Sequence, residues 1–186
     1  MKLYGSYTSP YVRHCRIVLS QIGEDFEFIE TDRAGSAIKS PTKRVPFLED
    51  GNICLTDSSA IVKYLREKAN TPFLPDIADY DSYCLTNTAL DAAANVFFLE
   101  LDGVGPAQSD YLKRQADRIK SSLDALELKN LAEKAPYNDF ELKLGCFLDW
   151  GLYRERISLK SYPNLQVFLQ GIKQYPYFAA TTPPPL

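Results

Sequence analysis

The chain has 186 residues, 45% apolar, 24% charged and 12% aromatic, with a formal net charge of -3. A chain this long can fold without a disulfide or metal staple, and 12 Tyr with 10 Phe exclude general disorder. The charge predicts no nucleic-acid partner, and a lone histidine, His14, excludes sites that need two from this chain.

Cys15, Cys54, Cys84 and Cys146 include no CxxC pair, which predicts neither a zinc ribbon nor a dithiol redox centre. Scattered single cysteines fit a reducing cytoplasm. Met1 to Gly5 opens no long apolar run, so no signal peptide is expected, and no stretch approaches the ~20 apolar residues of a membrane span.

In chain order, Leu3 to Tyr7 predicts a short strand and Pro10 to Ile22 a helix. Ser9 is placed to cap that helix, Pro10 suits its first turn, and Gly23 suits its stop. Phe26 and Phe28 alternate with acids in a second strand, and residues 31–44 are polar and irregular. Val45 to Leu48 and Ile53 to Leu55 read as two strands joined by a hairpin at Asp50-Gly51. Thr56 or Asp57 then caps a helix reaching Lys68. With a second helix in the weak stretch, the order is β-α-β-α-β-β-α, an α/β domain on a mixed four-stranded sheet.

Beyond Pro72 and Pro75 the pattern turns helical. Helices are expected over 79–102, 109–131, 138–156 and 163–174, the third opened by Asn138 with Glu141 as a capping-box pair. The expected organisation is residues 1–72, a linker over 73–78 and an all-helical domain over 79–186. The tail Thr181-Thr182-Pro183-Pro184-Pro185 is expected to be extended.

Three element boundaries carry candidate chemistry. Ser9-Pro10-Tyr11-Val12 has the shape of the glutaredoxin Cys-Pro-Tyr-Cys turn with both thiols gone. A serine hydroxyl at a helix N-terminus can donate to a bound thiolate, or can simply cap the helix. Val45-Pro46 opens a strand. A cis bond there would turn the Val45 N–H and C=O toward a cleft to pair with a peptide backbone; otherwise it is an ordinary strand-start proline. Asp57-Ser58 opens a helix. Ser58 can bind a carboxylate and Asp57 can face an ammonium, or the pair is a cap.

The conjunction of these three motifs carries a resemblance. The chain resembles cytosolic glutathione S-transferases over nearly its whole length, and residues 6–13 look most like the bacterial YibF-like group. Residues 45–48 and 57–65 are similar to the glutathione-site motifs, and 162–165 and 175–181 to the C-terminal pattern. The resemblance implies a thioredoxin-like domain followed by a helical domain, in a cytoplasmic homodimer serving detoxification, without a metal. It places the glutathione thiolate at Ser9 with Thr8 as a neighbouring donor, the cysteinyl backbone on Val45, the γ-glutamyl end on Asp57 and Ser58, and Lys43 or Arg44 on a glutathione carboxylate. Glutathione is then a co-substrate, attacking a small electrophile held by the helical domain. Where tyrosine-type members carry their hydroxyl, four positions before Ser9, this chain has Gly5. Phe168 replaces a common tryptophan, and segment 31–42 is shorter than usual. The alternatives are a non-catalytic interaction protein of the same fold, like stringent starvation protein A, and a glutathione-dependent isomerase.

Lesser signals read as structure. His14 and Cys15 diverge by about 100° on a helix and form no nucleophilic pair. Phe97, Phe98, Tyr111 and Trp150 are candidates for an electrophile pocket, with core packing the more common role of such residues.

Overall fold

The computed structural model describes residues 1–185 and divides into two compact units. The first comprises Met1–Phe73 together with the C-terminal segment from Gln174, and the second comprises Leu74–Lys173.

In the first unit the elements are β1 (Lys2–Gly5), α1 (Pro10–Ile22), β2 (Glu27–Glu30), α2 (Arg33–Lys39), β3 (Phe47–Asp50), β4 (Ile53–Leu55) and α3 (Ser58–Lys68). The sheet order is β2-β1-β3-β4. β1 and β2 are parallel, while β3 runs antiparallel to both β1 and β4. Period-two alternation sends Leu3 and Leu48 into a core with Val12, Cys15, Val18 and Leu19 of α1 and Ile61, Val62 and Leu65 of α3. Each such buried side chain contributes roughly 1.5–3 kcal/mol of apolar transfer.

Local chemistry sets the boundaries. β1 stops at Gly5 rather than Tyr7 because the Ser9 N–H bonds back to the Ser6 carbonyl at 3.1 Å, closing a turn. β3 begins at Phe47 because Pro46 has no N–H to give a ladder. Gly51 supplies φ 59° for the hairpin, as Asp50-Gly51 predicts. The polar stretch after β2 holds α2, capped by Asp32, which accepts from the Gly35 N–H at 2.7 Å.

The second unit is helical: α4 (Ile77–Leu101), a 3-10 turn at Pro106–Gln108, α5 (Asp110–Glu127), α6 (Asp139–Tyr153) and α7 (Pro163–Ile172). α4 starts two residues before the expected 79 because Asp76 caps it, accepting from the Ala78 and Asp79 N–H groups. The Asn138/Glu141 capping box forms as read, with both reciprocal bonds present. α6 ends before 156 because the Arg156 N–H turns back to the Gly151 carbonyl at 2.7 Å while Glu155 adopts φ 56°. α5 ends before 131 because its last residue serves another helix. The Glu127 carboxylate accepts from the Asn164 and Leu165 N–H groups at 2.8 and 3.0 Å, capping α7, whose own N-cap Tyr162 makes no side-chain cap bond.

The tail from Gln174, expected to continue the helical half, packs in the first unit. It carries a last short helix, α8 (Pro176–Ala179). The Arg13 guanidinium lies 3.8 Å from the Phe178 ring centroid and donates to the Phe178 carbonyl and Thr181 Oγ1. Gln21 Nε2 donates to the Tyr175 hydroxyl at 2.9 Å. Residues 182–185 form no regular structure, and Leu186, the last residue of the expected helical domain, lies outside the described residues. Among the described residues no helix is long and apolar enough to cross a membrane.

Candidate functional site

Strand direction gathers the three candidate motifs. β1 and β4 point the same way and β3 the opposite way, with Tyr4 opposite Phe47 and Leu48 opposite Leu55. The chain therefore leaves β1 for Ser6–Ser9, enters β3 from Val45-Pro46 and leaves β4 for Asp57-Ser58 at the same end of the sheet. A contact between Cys15 Sγ and the Ser58 carbonyl, 3.9 Å, ties the start of α3 to α1.

Ser9 is the N-cap of α1, with Oγ accepting from the Val12 N–H at 3.4 Å. That bond is long for N–H···O and uses one lone pair, so the hydroxyl proton remains available to donate. Thr8 sits beside it, with Oγ1 3.1 Å from Ser6 Oγ, and the Thr8 N–H donates to Ser6 Oγ at 3.3 Å. Ser6 is a residue that sequence reasoning passed over; its side chain and its carbonyl both hold this turn. A serine two positions before another hydroxyl residue is the local signal of such a turn.

Position 5 admits no side chain. A Cβ there would meet Val12 Cγ1 at 2.5 Å and Cγ2 at 2.6 Å. Tyr4 is no substitute donor. Its hydroxyl donates to Glu49 Oε2 at 2.9 Å, its ring stacks on Phe47, and burial followed by the Glu49 bond raises its pKa. Tyr7 packs on Phe28, ring centroids 4.6 Å apart, with the Arg16 guanidinium 4.8 Å from the Tyr7 centroid and 5.4 Å from that of Phe28.

The Val45-Pro46 bond is cis. Lys43 and Arg44, just before it, are both exposed, and the Lys43 backbone is held by the Ser40 carbonyl and the Ser36 hydroxyl. Asp57 is a true N-cap: Oδ1 accepts from the Ser59 N–H at 2.8 Å and the Ala60 N–H at 3.3 Å, leaving Oδ2 uncommitted to the helix. Ser58, the first residue of α3, is buried. His14 and Cys15 are both fully buried in the first unit.

The second unit holds a cavity of about 440 Å³, lined by the apolar Val96, Ile119 and Leu123 and by Lys120, Arg156 and Tyr162 among others. None of the expected aromatics lines it. Phe97 and Trp150 pack edge to face at 5.9 Å, Trp150 is buried, and Tyr111 is exposed on α5.

Residues 3–73 match the model of the glutathione S-transferase N-terminal domain. An uncharacterized GST-like protein, YibF, from Escherichia coli is 28% identical over 99% of each chain. Residues 3–73 therefore belong to the glutathione S-transferase N-terminal domain family, and the chain is similar along its length to GST-like proteins. A probable maleylacetoacetate isomerase from Vibrio cholerae is 26% identical, with 97% of this chain and 94% of that one covered. A glutathione transferase family member from Pseudomonas fluorescens, solved with bound glutathione, superposes with a TM-score of 0.85 at 23% identity, covering 98% of both chains. Its likeness carries the fold: a thioredoxin-like domain followed by a helical one.

Proposed function

We propose that the chain binds glutathione in its first unit and activates it as a thiolate for attack on a small electrophile. The observation that carries this reading is the convergence of Ser9, Val45 and Ser58 at one end of the sheet, two of them at helix starts. Helix N-termini favour anions through free N–H groups and the macrodipole. The sulfur anion sits at Ser9, which donates its hydroxyl proton, with Thr8 as a second donor. The backbone of Val45 receives the cysteinyl peptide. The γ-glutamyl carboxylate sits at Ser58, with its ammonium on the second oxygen of Asp57. Lys43 or Arg44 pairs with a carboxylate.

The chemistry needs no covalent enzyme intermediate. The thiol proton leaves to solvent, the sulfur lone pair forms a C–S bond, and the leaving group departs with its electron pair. Lowering a thiol from its usual pKa of ~8.5 by about 2 units stabilises the thiolate by roughly 2.7 kcal/mol relative to the thiol. Detoxification of electrophiles in the cytoplasm is the setting we propose. A second copy of the chain is the proposed partner: Ile77, Tyr80, Phe98 and Leu101 are exposed on one side of α4.

A glutathione titration by calorimetry on wild type and Ser58→Ala tests the reading. Saturable binding that weakens in the variant supports it; no binding at millimolar glutathione overturns it in favour of a scaffold. The isomerase relative from V. cholerae supports a second reading, in which glutathione adds to and then leaves an unsaturated substrate. Product mass separates the two, since a conjugate gains glutathione and an isomer gains nothing.

A further inference from the structure

The turn that carries Ser9 contains one large side chain, Tyr7, and three hydroxyl residues, Ser6, Thr8 and Ser9. The hydroxyl residues hold the turn from within: Ser6 bonds to Thr8, and the Ser9 N–H bonds to the Ser6 carbonyl. Tyr7 fixes it from outside. It is 38% exposed, so burial alone does not hold it, yet its ring packs on Phe28 of β2, and the Arg16 guanidinium of α1 reaches both rings, 4.8 Å from the Tyr7 centroid and 5.4 Å from that of Phe28.

Arg16 follows Ser9 by seven residues, about 10.5 Å of helix rise. Helical side chains lean toward the N-terminus, which brings its guanidinium back onto the ring two residues before Ser9. Among the described residues Arg16 makes no ion pair. Tyr7 from the turn, Phe28 from β2 and Arg13 from α1 itself are the groups that face it. A half-buried guanidinium without a carboxylate is costly, and cation–π contact with two aromatic rings is the interaction that retains it here.

We propose that Arg16 is a positioning residue for the Ser9 hydroxyl, clamping Tyr7 against Phe28 and thereby fixing the turn on which Ser9 sits. The inference rests on the reading of Ser9 as the thiolate donor. It makes Arg16→Met and Tyr7→Leu two ways of breaking one device.

The test measures two quantities in wild type, Arg16→Met, Arg16→Lys, Tyr7→Leu and the Tyr7→Leu/Arg16→Met double variant. One is the pKa of bound glutathione, followed by thiolate ultraviolet absorbance; the other is affinity for S-methylglutathione, which has no thiol to ionise. We expect Arg16→Met and Tyr7→Leu each to raise the bound-thiol pKa by about 0.5–1 unit, the equivalent of a partly lost hydrogen bond. The double variant should shift no further than either single one, and S-methylglutathione affinity should stay within about twofold. Arg16→Lys keeps the charge but not the broad guanidinium that reaches both rings, and should recover less than half of the shift.

Additive shifts, full recovery by lysine, or an unchanged pKa in Arg16→Met beside a lowered one in wild type each overturn the clamp alone. Failure of wild type to bind glutathione or to lower its thiol pKa overturns the Ser9 reading and the clamp with it. Should Arg16→Met not fold, Arg16→Lys and Tyr7→Leu decide the matter by the same readouts.

Discussion

Gly5 and Val12 occupy each other's space: a Cβ on Gly5 would lie 2.5 Å from Val12 Cγ1, well inside contact distance. The first strand and first helix approach so closely that position 5 can hold only glycine while valine stands at 12. Gly5→Ala should destabilise the chain by about 1–3 kcal/mol, the usual cost of overpacking, with recovery in Gly5→Ala/Val12→Ala. Denaturant unfolding checks both; an undiminished midpoint in the single variant would show that the contact relaxes freely.

Ser9→Ala separates the cap from the chemistry. The cap bond is long, so stability should fall by only about 0.5–1 kcal/mol. The bound-thiol pKa should rise by about 1–2 units, the equivalent of one charge-assisted hydrogen bond, and conjugation near neutral pH should slow accordingly. Rate–pH profiles that superpose on wild type would remove Ser9 from the mechanism.

Asp57 has a structural duty and a proposed binding one, and two substitutions distinguish them. Asp57→Ala removes the α3 cap and should cost about 1 kcal/mol. Asp57→Asn keeps a capping oxygen but loses the charge, so it should melt close to wild type while binding glutathione more weakly. Undiminished affinity in Asp57→Asn, read by calorimetry, would leave Asp57 as a cap only.

Glu127 ends one helix and caps another, with two backbone N–H groups of α7 on its carboxylate. Glu127→Ala should destabilise the chain by about 1–2 kcal/mol, more than an exposed glutamate normally costs. Hydrogen exchange at Asn164 and Leu165 is the sharper readout and should accelerate there first.

Asp50 gives a pH dependence with a definite sign. The Tyr64 hydroxyl, then Lys68, hold its carboxyl below the usual carboxylate range, with bonds of 2.7 and 3.0 Å. A depressed folded pKa adds stability above the unfolded value of ~3.9, and that stability is lost as pH falls through the folded value. Asp50→Asn should therefore melt lower than wild type at pH 7, with the gap closing as pH falls through the depressed folded value. A gap independent of pH would mean that the charge is not what matters.

Much of the fold was legible in local sequence. The Ser9-Pro10 start and Gly23 stop bound α1 as observed, Asp50-Gly51 marks the hairpin, and Asn138 with Glu141 marks the start of α6. These signals act within a few residues, through caps, fixed φ angles and turns, and so survive without knowledge of distant partners. Boundaries set at a distance were not legible. Nothing near Glu127 announces that its carboxylate belongs to a helix beginning 36 residues later. The tail from Gln174 reads as a continuation of the helical half until Arg13 is seen on Phe178 and Thr181.

The candidate site divides the same way. The residue types at Ser9, Val45-Pro46 and Asp57-Ser58, and their places at element ends, are properties of the sequence. Tertiary structure decided that strand direction brings those ends together, that Tyr4 gives its hydroxyl to Glu49, and that Arg16 reaches back onto Tyr7. Sequence governs conformations whose stabilising partners lie within one or two turns; contacts between distant residues depend on how whole elements pack, and only the folded chain sets that.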